Sequence, residues 1–265
     1  MRKSMNNVAY QEIKSIFKYR PVWVMLAIQD IQLRYRRSSL GPWWLTISMS
    51  ITIYTMGFLY SHLFNLNLES YFPYLASGII CWSFLSTLIL ETTNAFIESE
   101  CYIKNNENLF SSFIVRIIFR NLIVLFHNFI AFIPIIFLFN LHVDLHYLSV
   151  IPGLFIICIN AFFFGMIFAG IGTRYRDFHQ ILSNLVQVSF FLTPVMWMPQ
   201  LLPEKYQWII LYNPLYQFLN LIRAPLINES ISQETIVIVS AVTISGFLLF
   251  SRFIKKFRYT VIFWL

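Results

Sequence analysis

Charge-free apolar runs of roughly twenty residues recur along the chain, and they decide its architecture before any motif is considered. That length of helix crosses the hydrocarbon core of a bilayer. In lipid every backbone N–H and C=O must be satisfied within the segment, which makes a helix the spanning element for runs of this size. The runs place six spans at about 43–64, 71–93, 114–139, 148–171, 181–198 and 235–250. The composition agrees: 58% hydrophobic and 12% charged residues, against about 25% charged in soluble domains. The expected fold is an all-α membrane protein of six transmembrane helices.

The formal net charge of +7 does not point to nucleic acid, because of where the charges lie. Of the 19 Lys and Arg residues, only Lys205 and Arg223 fall on one side of the expected membrane; the others share the side that holds both ends of the chain. Loops rich in Lys and Arg stay in the cytoplasm, so both termini are expected there, and an even number of spans follows. Met1-Arg2-Lys3 is followed by polar residues rather than by an apolar run, so a cleavable signal is not expected. Cys81, Cys101 and Cys158 are far apart, with no metal-ligand or redox spacing.

Two stretches fit neither span nor hydrophilic loop. Before the first span, Val24, Ala27, Ile28 and Ile31 recur at helical spacing, with Gln29, Asp30, Gln32 and Arg34 on much of the other side. This predicts an amphipathic helix at the interface, resting on lipid, on the protein's own spans, or on both. Pro21 is expected to separate it from a shorter helix near Ile13, Ile16 and Phe17. After span 5, residues 199–234 contain apolar pieces too short to cross, broken by Pro203, Pro214 and Pro225. Re-entrant or interfacial helices fit them. The chain thus divides into a cytoplasmic tail with interface helix (1–42), a transmembrane domain (43–254) and a basic tail (255–265).

Motifs of energy conversion and catalysis are missing. There is no GxxxxGK[ST] phosphate loop, HExxH or GxSxG. No carboxylate lies at mid-span depth, and His127 alone stands where a proton relay would need a group; a lone histidine is usually a packed one. Arg116 and Arg120, early in span 3, are expected to snorkel to headgroups. A path former that borrows energy from a partner remains, rather than an enzyme. The join at residues 29–45 carries Arg34, Arg36 and Arg37 just before Gly41-Pro42-Trp43-Trp44. Guanidinium groups suit phosphate, so these arginines are candidates for binding phosphate, whether of plain lipid headgroups or of a phosphate-bearing ligand. Most of the 28 Phe, 14 Tyr and 7 Trp serve packing or face lipid. Tyr54 and Phe58, four apart and so on one helix face, are path candidates, followed by Trp82, Phe190 and Trp197. Ala161, Gly165 and Ala169 form a small-residue stripe that lets another helix approach.

Arg34-Tyr35-Arg36-Arg37-Ser38-Ser39-Leu40-Gly41-Pro42-Trp43-Trp44 resembles the opening signature of ABC-2 type permeases that export cell-surface polysaccharides of the O-antigen, capsule and teichoic acid kinds. Arg174-Tyr175-Arg176-Asp177, Leu192-Thr193-Pro194-Val195 and Asn213-Pro214-Leu215, with Arg223 beyond, follow in the family's order. The resemblance covers nearly the whole chain. It implies a homodimer of six-span subunits in the bacterial inner membrane, each docked on an ABC ATPase subunit. ATP and magnesium would be bound by that partner, with no cofactor or metal in this chain. It implies a coupling helix between spans 2 and 3, over residues 96–109, offering Glu98, Glu100, Lys104 and Glu107 to the ATPase. It also implies two re-entrant periplasmic helices between spans 5 and 6. The expected function is the permease subunit of an ATP-driven exporter of lipid-linked polysaccharide. The alternative is an ABC-2 exporter of drugs or small lipids. A membrane-bound transferase would need an acidic or histidine cluster at one face, and the sequence has none.

Overall fold

The computed structural model describes residues 8–105 and 110–265, with side chains from residue 12 onward apart from 257–259. All regular elements among these residues are helical. Two helices, α1 (Val8–Lys18) and α2 (Arg20–Arg34), precede the first long one. The break between them falls at Tyr19. Pro21 sits in the first turn of α2, where its missing N–H has no helical partner to lose. Helix α3 (Trp43–Leu63) follows a turn in which Gly41 takes φ 55°, a conformation glycine adopts without strain. Helix α4 (Leu68–Thr93) is capped by the Asn67 side chain, which accepts from the Glu69 N–H.

Two short helices, α5 (Ala95–Glu98) and α6 (Glu100–Asn105), lead towards α7 (Phe110–Ile130) and α8 (Ile133–Leu138). Then come α9 (Val150–Arg174), α10 (Phe178–Leu192), α11 (Gln207–Leu211), α12 (Pro214–Leu226) and α13 (Gln233–Trp264).

Among the described residues four stretches are long and apolar enough to cross a membrane: Leu68–Thr93, Phe110–Leu138, Leu145–Arg174 and Gln233–Lys256. Helix α3 has the length, at 21 residues, but its Ser, Thr and Tyr content lowers its mean hydropathy. Helix α10 has 15 residues and rises about 22 Å, short of a core of about 30 Å. Pro194, expected to interrupt span 5, instead lies just beyond its end.

Helix α4 is the central post. Two thirds of its apolar window is buried, and α3, α7, α9, α10 and α12 all pack on it. The small-residue stripe of α9 does what its spacing implies: a Cβ on Gly165 would lie 2.9 Å from Thr92 Cγ2 and 3.1 Å from Ile114. Helices α9 and α13 are joined by phenylalanines. Phe250 meets Phe162 and Phe163 at ring distances of 5.4 Å, and Phe247 meets Phe163 at 5.6 Å. Much of the aromatic load is therefore packing.

Beyond residue 254 the helix continues where a separate basic tail was expected. Phe250, Ile254 and Val261 keep one face of α13 buried, and α1 packs along it, so the apolar stripe carries the helix past its charged residues.

Candidate functional site

Two polar clusters, one at each end of α4, join it to neighbouring elements; they are called inner and outer after the membrane sides expected from the charge distribution. The inner one begins with α2. Its Leu26, Ala27 and Ile31 are buried, and Trp23 meets Phe119 of α7 edge to face at 5.5 Å. Met25, Ile28 and Leu33 stay exposed, so this amphipathic helix rests on protein along one flank and offers apolar side chains along another.

Its Asp30 points inward. The carboxylate accepts from Arg116 Nε at 2.8 Å and from Arg120 Nη1 at 2.9 Å, and also pairs with Arg116 Nη2. Arg120 Nη2 reaches Glu91 Oε2 at 2.8 Å, and Asn121 Nδ2 donates to the same oxygen at 2.5 Å. Arg34 approaches Glu91 Oε1 at 3.6 Å. One network thus joins α2, α4 and α7.

This corrects the expectation that Arg116 and Arg120 snorkel to headgroups. Their side chains are only 19% and 12% exposed, because two carboxylates are within reach and a paired guanidinium need not seek water. Deeper along α1, Ser111 Oγ donates to the buried Glu12 carboxylate at 2.5 Å.

Where a coupling helix was expected over residues 96–109, the described residues form two short helices, α5 and α6, broken at Ser99. Glu98 is exposed, yet within electrostatic range of the inner network. Desolvation raises its carboxyl above the ordinary glutamate value; Arg120 and Arg116 pull it down while Glu91 and Asp30 push it up. Lys104 pairs with Glu100 at 2.5 Å on a solvent-facing turn. Glu107 lies outside the described residues.

The three arginines before the first long helix are not equivalent. All three are exposed, but Arg34 approaches Glu91 at 3.6 Å and so borders the network, and Arg37 takes φ 77°. Beside them Tyr35, Trp44, Ser48, Thr52, Ser83 and Asn128 help line a cavity of about 540 Å³.

The path candidates separate likewise. Tyr54 turns in, its hydroxyl donating to the Ala131 carbonyl at 3.4 Å and its ring 5.6 Å from Phe72. Phe58 is 64% exposed and meets the His62 ring at a tilt, centroids 4.4 Å apart. Trp82 and Phe190 meet at 5.6 Å. Trp197 stands apart, its Nε1–H donating to the Phe191 carbonyl at 3.2 Å. His127 is a packed residue: its Nδ1 bonds the Ile123 carbonyl at 2.9 Å, and its own carbonyl accepts from Thr46.

The outer cluster surrounds the non-helical stretch 193–198. Buried Arg223 of α12 donates to the carbonyls of Pro194 at 2.6 Å and Val195 at 3.1 Å, with its guanidinium 3.9 Å from the Tyr74 ring centre. Tyr74 Oη donates to Pro194 and Trp197 carbonyls, and Tyr71 Oη to that of Met196 at 2.6 Å. Asn213 caps α12 through Leu215 and Tyr216 and donates to Thr193 Oγ1 at 2.9 Å.

The sequence marks Arg223 and Asn213 only as motif residues and Asp30 only as part of the polar side of the interface helix, and it does not single out Glu91, Tyr71 or Tyr74. The available signal was Arg116 and Arg120, four apart on one face of an apolar helix, which asks for carboxylates on neighbouring elements.

Residues 21–227 match the family described as ABC-2 type transporter. Two O-antigen export system permease proteins RfbA of Klebsiella pneumoniae are similar to the chain. One is 25% identical over 248 residues, covering 90% of this chain and 93% of the relative. The other is 26% identical over 234 residues, covering 85% and 86%. An O-antigen export system permease protein RfbA of Myxococcus xanthus is 22% identical over 194 residues, covering 70% and 71%. The family match takes in α2 to α12, both polar clusters included, and the chain belongs to the ABC-2 type transporter family.

Proposed function

We propose that this chain is the membrane subunit of an ATP-driven exporter of lipid-linked polysaccharide of the O-antigen type, acting in the bacterial inner membrane. The observation that carries the reading is its similarity, over most of both chains, to permeases named for O-antigen export. Disrupting the gene in its host should abolish surface polysaccharide while lipid-linked glycan accumulates inside, and a plasmid copy should restore it. Unchanged surface glycan in the disrupted strain would overturn the proposal.

In this reading α3 and α10 also span, giving six spans with both termini in the cytoplasm, and α11 and α12 are the re-entrant pair. The polarity of α3 and the shortness of α10 suit helices that border an aqueous path and a partner rather than bulk lipid. Two copies form a homodimer, each bound to an ATPase subunit that holds ATP and magnesium. That subunit pushes on α5 and α6, where Glu98, Glu100, Lys104 and Glu107 would meet it. The inner network would carry the push to α2, since Glu98 borders it electrostatically and Asp30 belongs to it. Tyr54, Phe58, Trp82, Phe190 and Trp197 would offer aromatic faces to the sliding glycan.

Glu98→Lys with Glu100→Lys should reduce ATPase co-purification or leave hydrolysis running without export; no change in either would remove the coupling role. Arg36 and Arg37 would meet the carrier's phosphate. Replacing both with Gln leaves the Arg34–Glu91 contact in place, so a loss of export with correct topology would reflect phosphate recognition rather than damage to the network.

A further inference from the structure

Helix α10 is held at its ends and loose between them. Val186 is its buried residue, while Ile181, Leu185, Val188 and Leu192 form an exposed stripe. At the inner end His179 Nδ1 and Thr93 Oγ1 are 2.7 Å apart. Thr93 is the last residue of α4, separated from α5 by Asn94 alone. A Cβ on Gly172, just upstream of α10, would lie 2.2 Å from the Thr93 carbonyl oxygen. At the outer end the chain leaves the helix, and the carbonyls of residues 194–197 have no helical donors. Each is met by a side chain instead: Pro194 by Arg223 and Tyr74, Val195 by Arg223, Met196 by Tyr71 and Trp197 by Tyr74.

Arg223 is 1% exposed and has no carboxylate partner among the described residues. A buried cation is costly unless its hydrogen bonds are met; here Nη1 and Nη2 meet peptide carbonyls and the face meets an aromatic ring, while the buried Nε has no hydrogen-bond partner among the described residues. Space for it is reserved, because a Cβ on Gly78 would stand 1.9 Å from Arg223 Nη2. A feature kept under these costs is better explained by what it holds than by stability alone.

We infer that Arg223 is a positioning residue that fixes residues 194–197 to α4 and α12, making the outer end of α10 the fulcrum about which its inner end swings. The inner end is linked through His179 and Thr93 to the helix pair proposed to meet the ATPase. Displacement there is therefore converted into rotation of α10 rather than translation. The transport consequence rests on the function proposed above; the mechanical arrangement does not.

The test is hydrogen exchange on the purified permease in lipid nanodiscs, comparing wild type, Arg223→Met and Arg223→Lys. In Arg223→Met, peptides covering 193–198 should exchange about tenfold faster, the scale expected when a charged hydrogen-bond partner is lost, while peptides from 178–186 stay unchanged. Arg223→Lys, which keeps the charge but not the fork, should fall between. In cells Arg223→Met should lose export, with ATP hydrolysis retained in the purified complex.

Unchanged exchange at 193–198, or a uniform rise along the whole chain, would overturn the inference. If Arg223→Met does not reach the membrane, Tyr74→Phe removes one carbonyl donor and keeps the ring. Faster exchange at 193–198 supports the inference there and unchanged exchange overturns it. Because exchange is read without cargo, failure of the polysaccharide reading would show separately, in the disrupted strain.

Discussion

Asp30 satisfies two guanidinium groups with one carboxylate, and all three side chains are less than 20% exposed. Removing one partner of such a cluster leaves buried charge uncompensated, which costs about 3–5 kcal/mol. Asp30→Asn should therefore lower the thermal stability of the purified protein by an amount of that order. Lys104→Gln, which breaks the exposed Lys104–Glu100 pair, should cost only about 0.3–0.5 kcal/mol; a detergent-solubilised melting series compares the two. Glu98 gives a pH dependence of definite sign. Its folded-state value lies above the ordinary 4.5, so the folded protein binds the proton more readily than the unfolded chain. Its contribution is complete below 4.5 and is lost as pH rises through the raised value. Glu98→Gln should flatten that part of the stability profile, which melting temperatures across the acid range would reveal. At this scale the sequence was least legible. Arg116 and Arg120 look alike whether they reach for headgroups or for carboxylates; the difference lies in α2, a separate element whose docking no local pattern records.

The helices themselves were far more legible. Charge-free runs announced α4, α7, α9 and α13, and proline positions announced the broken segment between α10 and α13. Two boundaries moved for local reasons. Span 3 breaks at Ala131–Phe132 and resumes as α8 with Pro134 in its first turn. Span 5 stops at Leu192, because the residue before a proline is turned away from helix, and Thr193 has ψ 131°. The stretch that follows depends on contacts that alternation and hydropathy do not encode, chiefly tyrosines of α4 reaching carbonyls some 120 residues away. Gly78→Ala tests this packing directly. A methyl group in the space of Arg223 Nη2 should displace the guanidinium and cost about 1–3 kcal/mol, the usual range for overpacking. Gly246→Ala, whose Cβ would meet only the edge of the Phe164 ring at 2.9 Å, should cost less, because a ring edge can yield; paired melting curves check the order.

For the whole molecule, the proposed homodimer makes use of the apolar surface that one subunit leaves uncovered. The α10 stripe and the exposed Ile51, Phe58 and Leu59 of α3 belong to the two helices least suited to bulk lipid. Leu185→Asp, at an exposed position, should leave helix content unchanged by circular dichroism while shifting the purified permease from dimer to monomer in mass photometry. Retention of the dimer would move the interface elsewhere. The continuous helix α13 carries a consequence of another kind. From Gln233 to Arg252 it rises about 28 Å, near the thickness of the hydrocarbon layer, and its far end places the Trp264 ring centre 5.1 Å from the guanidinium of Arg174, the last residue of α9 before the turn into α10. A thinner or thicker bilayer is accommodated in part by helix tilt, and the turn between α9 and α10 is attached to this helix. Lipid chain length should therefore be felt at the root of α10 without any ligand being bound.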